Sequence, residues 1–150
     1  MRDDKNGLER FIAAQKDRYQ DALREIRAGR KRSHWMWYVF PQLAGLGISR
    51  TSAYYGIQGM EEARAYLKNG VLGPRLVEIS EALLELPAAD AHAVFGSPDH
   101  LKLQSSMTLF ALASDAEPVF RAVLEKYFAG EMDKKTLQML AAPRPPGVRH

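Results

Sequence analysis

In segment after segment of this chain, apolar residues recur three and four positions apart. That spacing places them on one face of a helix, whereas a half-buried strand would need alternation at every second position. Leu8, Phe11, Ile12, Tyr19, Ala22, Leu23 and Ile26 form the first such stripe. It predicts a helix over 8–28, stopped by Gly29, because glycine accepts the left-handed conformation that follows a helix. In "LGPRLVEISEALLELP" the stripe is Leu76, Ile79, Leu83 and Leu86, with Pro74 suited to the first turn and Pro87 to closing the helix. Val119, Phe120, Val123, Leu124 and Tyr127 form another, preceded by Ser114 and Glu117 at capping-box spacing and ended by Gly130. Ser49, Asp90, Ser97 with Pro98, and Asp133 mark the starts of further helices.

The stretch from Ser33 to Phe40, "SHWMWYVF", is ambiguous, since Trp, Tyr, Val and Phe favour strands as readily as a buried helix. No other segment offers sustained alternation, and a lone strand would leave its backbone groups unpaired. The expectation is therefore a short buried helix capped by Ser33 and ended before Pro41. "LAGLGIS" follows as a glycine-punctuated loop. The fold class expected is all-α: a single compact domain of about six or seven helices with short connections and no sheet. Its boundaries are a flexible N-terminus over 1–7, a helical domain over 8–141 and a Pro-rich mobile tail over 142–150. A length of 150 residues is ample for one core.

Composition removes several function classes. With no cysteine, disulfides, thiol catalysis and thiolate metal sites are out of reach. The longest apolar runs are too short to cross a bilayer, and "MRDDKNGLERF" has no apolar core of a secretory signal, so a soluble, cytoplasmic protein is expected. Lys and Arg number 21 against 18 Asp and Glu, a net charge of +3. That balance tolerates an anionic partner but does not announce nucleic-acid binding.

Both tryptophans, three consecutive basic residues and a histidine crowd into "GRKRSHWMWYVFPQLAGLG", residues 29–47. Arg30, Lys31 and Arg32 either complement the negative end of the first helix or fork onto phosphate or carboxylate. His34 is either a hydrogen-bonded structural residue or a general base, and the base would need a nucleophile and an orienting acid. Trp37 belongs to a segment that builds core and can line a cleft with another face. The ligand-binding candidates are Arg30, Arg32, Ser33, His34, Trp37, Gln42, Arg50 and Lys102, with His34 the catalytic candidate. Lys102 with Ser105 and Ser106 has the spacing of a Ser-Lys nucleophile pair, although a polar helix face explains it as well. "GLG" at 45–47 lacks the Lys-Ser/Thr of a P-loop, and Glu61–Glu62 and Glu81–Glu85 read as solvated helix faces. No metal site or cofactor is expected, because no histidine or carboxylate stands at ligand spacing to His34.

"RFIAAQKDRYQDALREIRAGRKRSHWMWYVFPQLAGLGIS", with "VLGPRL" and "LKLQSSMTLF", resembles the bacterial family called domain of unknown function 1810 from about Leu8 to Leu140. The resemblance implies a mainly helical single domain and no established activity. Some members carry the label calpastatin, which regular amphipathic helices contradict, since a long disordered inhibitor would lack them. Three functions remain, in this order: binding of an anionic or nucleotide-like small molecule, with or without catalysis, in a basic-aromatic cleft around residues 30–42; a helical module that docks a partner protein the sequence does not name; and single-stranded nucleic-acid binding.

Overall fold

The computed structural model describes residues 7–87 and 90–141. Among them run ten helices and no strand: α1 (Glu9–Gln15), α2 (Tyr19–Arg27), α3 (Met36–Val39), α4 (Arg50–Tyr54), α5 (Met60–Lys68), α6 (Leu72–Glu85), α7 (Ala91–Phe95), α8 (Asp99–Ala113), α9 (Val119–Phe128) and α10 (Lys134–Ala141). The all-α expectation stands; the count of six or seven does not. Three of the ten, α3, α4 and α7, are single turns of four or five residues. The only ladder pairing among the described residues is an isolated parallel bridge between Leu43 and Ile57. The expected mobile tail over 142–150, and the expected flexible N-terminus apart from Gly7, lie outside the described residues.

The helix expected over 8–28 is two helices. Gln15 occupies a position in the stripe where an apolar residue would continue it, and it is 2% exposed. Its amide donates to the Tyr38 carbonyl at 2.7 Å and the Tyr66 hydroxyl at 3.0 Å, while Arg75 donates to its oxygen at 3.3 Å. A tight turn follows, with the Lys16 and Arg18 amides reaching back three residues to Ala13 and Gln15. Gly29, at φ +87°, does end α2: Arg30 N–H reaches the Glu25 carbonyl at 3.1 Å and Gly29 N–H that of Ile26 at 2.8 Å. Those two bonds are the Schellman pairing.

The core is organised around α8. Nine of its residues from Leu103 to Ala113 are buried, covering most of its circumference, as expected of a helix enclosed by others. Helices α5, α7, α9 and α10 pack against it. Of the polar residues this buries, Ser105 and Thr108 donate their hydroxyls to the carbonyls of Leu101 and Gln104, whereas the Ser106 hydroxyl has no hydrogen-bond partner among the described residues. Two aromatic groups fill the interior. Phe11, Tyr66, Phe110 and Phe120 form a chain of rings 5.2 to 6.1 Å apart, and Trp35, Phe40 and Phe95 form a triad at 5.8 to 6.3 Å.

Asp90, Ser49 and Asp133 cap α7, α4 and α10 as their positions predict. Ser33 does not cap α3. That helix starts two residues later than a Ser33 cap requires, and Trp35 stands at its cap position without a side-chain bond.

Candidate functional site

Ser33 instead binds Glu25, a residue the motif reading overlooked. From the last turns of α2, the Glu25 carboxylate accepts from the backbone N–H of Arg32 (2.7 Å) and Ser33 (3.0 Å), from the Ser33 hydroxyl, and from the Trp35 indole at 2.9 Å. Burial pushes the Glu25 carboxyl up, but the bonds from Ser33, Arg32 and Trp35 outweigh it and hold the group at about 2. Thus one carboxylate pins the chain between α2 and α3.

Lys31 is also accounted for. Its backbone N–H donates to the Val94 carbonyl at 2.7 Å, and its ammonium pairs with Asp99 at 2.9 Å. Asp99 holds Lys102 at 3.0 Å as well, and Lys102 Nζ lies 4.0 Å from the centroid of the Trp37 ring. Burial raises the Asp99 carboxyl, yet the two ammonium groups outweigh it and keep the carboxyl below its ordinary range.

The eight candidates do not converge. Ser33 and His34 line a cleft of about 250 Å³ with Arg18, Trp35 and Tyr38. Trp37, Gln42 and Lys102 line a second, of about 230 Å³, with Leu46, Leu101 and Lys135 among its walls. Arg30 faces a third, of about 420 Å³, beside Lys31, His92 and Phe95. Arg32 and Arg50 are exposed and line none of these clefts. A fourth cleft, of about 660 Å³ between α5, α6 and the start of α9, contains none of the candidates. Its walls come from Leu67, Val77, Phe120 and side chains of both charges, and only packing of separate helices creates it.

The first cleft brings an arginine and a histidine together. Arg18 enters from the turn between α1 and α2 and is exposed, as is His34. Neither the Arg18 guanidinium nor the His34 ring has a hydrogen-bond or ion-pair partner among the described residues. The Tyr38 hydroxyl donates to the His34 carbonyl at 3.2 Å. Burial raises the Tyr38 phenol and the nearby Arg18 offsets part of that rise. Among the described residues, no acid is hydrogen-bonded to the His34 ring, and no carboxylate is among the residues that line the cleft.

The Ser-Lys pair does not form. Ser105 Oγ donates to its own helix, and the Lys102 ammonium is committed to Asp99 and the Trp37 ring. His92 and His100 stack edge to face at 5.1 Å, but among the described residues no three metal-ligating side chains come together. Nor, among those residues, is any helix long and apolar enough to cross a membrane.

A family described as "Protein of unknown function (DUF1810)" matches residues 5–140. The crystal structure of the conserved hypothetical protein Rv1873 from Mycobacterium tuberculosis is similar to this chain with a TM-score of 0.91. The two share 49% identity, over 93% of this chain and 100% of that one. No curated protein matches.

Proposed function

The chain belongs to the DUF1810 family of proteins of unknown function, and for this member we propose that it binds a small anionic ligand in the cleft formed by Arg18, Ser33, His34 and Tyr38. The observation that carries the reading is that Arg18 and His34 enter one concavity with no carboxylate among its lining residues. An unpaired guanidinium and an imidazole supply directed donors to phosphate or carboxylate oxygens. Glu25 fixes the backbone of Ser33 and the indole of Trp35, so one wall is rigid before any ligand arrives and little ordering entropy is spent on binding. A volume of about 250 Å³ lies below the range of about 300–1,000 Å³ typical of drug-sized ligands. It suits a small anion or the charged end of a larger molecule.

Calorimetric titration with phosphate, sulfate, citrate and nucleoside monophosphates tests this. At least one of them binds the wild type, and Arg18→Gln and His34→Ala each weaken that binding tenfold or more without lowering thermal stability. If both variants bind every ligand as the wild type does, the cleft is not the site.

A further inference from the structure

The cleft between α5, α6 and the start of α9 measures about 660 Å³, within the range of about 300–1,000 Å³ typical of small-molecule sites. Leu67, Val77 and Phe120 line it, and Phe120 is 0% exposed, so the floor of the cleft is the core itself. Backbone contact sets how closely α5 and α6 meet. A Cβ added at Gly73, another lining residue, would overlap the Leu67 carbonyl oxygen. Glycine at that position therefore lets the start of α6 press against the end of α5, which fixes one end of the cleft.

The charged side chains that line this cleft are sorted by element. Arg64 and Lys68, one turn apart on α5, bring two positive charges. Glu78 and Glu81 on α6, with Asp115 and Glu117 in the connection from α8 to α9, bring four negative ones. Two of the acids are held in position: Glu78 accepts from the Tyr19 hydroxyl at 2.6 Å, and Glu117 accepts from the Val119 N–H at 3.1 Å while its own N–H donates to the Ser114 hydroxyl at 2.9 Å. Neither arrangement cancels a charge. Among the described residues no ion pair joins the α5 cations to these acids, although all six side chains line one cleft.

We propose that this cleft binds a zwitterion with an apolar body, of the size of a short apolar peptide with both termini free. The body lies on Leu67, Val77 and Phe120, the carboxylate meets Arg64 and Lys68, and the ammonium meets Glu81 and Asp115. Ligands of other charge fit the lining less well. A monoanion would sit beside four carboxylates, and a monocation beside two cations. A neutral apolar molecule would strip water from charged groups without giving them a partner. A ligand that carries both signs answers both sets of charges. This cleft shares no lining residue with the Arg18–His34 cleft, and its test does not involve those residues.

Calorimetric titration of the full chain with tripeptides of Leu and Phe is the experiment, each in three forms: both termini free, N-acetylated, and C-amidated. Acetylation removes the positive end and amidation the negative one. The free form binds at least tenfold tighter than either capped form, and added salt weakens it. Glu81→Gln combined with Asp115→Asn weakens the free form fivefold or more and does not weaken the N-acetylated one. Arg64→Gln combined with Lys68→Gln likewise weakens the free form and does not weaken the C-amidated one. All four positions are exposed, so Tm is unchanged. The proposal is overturned if no free tripeptide binds, if either capped form binds as tightly as the free one, or if either double variant binds the free form as the wild type does. Binding of the C-amidated form alone would overturn it in favour of a site for cations.

Discussion

Residues 29–40 and the loop 43–49 flank Pro41 and differ in what their side chains are used for. In the first, the density of charge and aromaticity resolves into internal bonds: Glu25 takes Arg32, Ser33 and Trp35, Asp99 takes Lys31, and Trp35 and Phe40 close an aromatic triad with Phe95. In the second, backbone is bonded at Ala44 to Ile57, but Ile48 projects wholly into solvent. A chemically crowded passage is therefore mostly structural, and a plain glycine loop presents the surface with no internal use. Residue type alone does not separate the two; the supply of partners from elsewhere in the chain does.

The largest effect that sharpens this contrast is at Phe40, which is 0% exposed. Phe40→Ala removes a ring from the triad and leaves a cavity that the surrounding helices cannot fully close. A loss of about 3–5 kcal/mol is expected, read by urea denaturation. A loss under about 1 kcal/mol would mean that the triad collapses freely and contributes little rigidity.

Next in size is Glu25. Its replacement by Ala strands the indole N–H of a tryptophan that is 1% exposed and releases two backbone amides. The expected cost is about 2 kcal/mol, with Glu25→Gln costing about half of that. The pH dependence follows from the lowered carboxyl. Because the folded value, about 2, lies below the ordinary 4.5, the stability Glu25 contributes is complete above about 4.5 and is lost as pH falls through about 2. Acid titration of unfolding free energy, followed by far-UV circular dichroism, should show that decline in the wild type and a shallower one in Glu25→Gln. Equal slopes would remove Glu25 as the pin between α2 and α3.

What could be read from sequence divides along the same line of local against distant partners. The stripes of α6 and α9, the Gly29 stop and the caps Asp90, Ser49 and Asp133 are legible because each determinant acts within a turn or two of its own position. Gln15 is not, since its partners Tyr38, Tyr66 and Arg75 stand 23, 51 and 60 positions away. A polar residue within an apolar stripe was the available signal. Of the candidate site, Ser33 and His34 are legible as polar groups at the rim of an aromatic segment. Arg18, their counterpart in the cleft, is not, because the break between α1 and α2 that presents it is itself invisible in the stripe. Glu25 shares its helix with Arg24 and Arg27 and looks like any solvated acid until Ser33 and Trp35 fold back onto it.

The smallest expected effect is at Ile48, and it is the one that most directly probes the contrast. A buried isoleucine contributes stability because its surface leaves water on folding. At 105% exposure Ile48 gains nothing of that kind, so Ile48→Ser should change unfolding free energy by less than about 0.5 kcal/mol, measured alongside Phe40→Ala in the same denaturant series. Two large apolar residues eight positions apart would then differ by several kcal/mol on truncation, set by burial alone. A cost above about 1 kcal/mol at Ile48 would instead mean that the side chain packs against the protein in solution. In that case the loop would join residues 29–40 as internal structure.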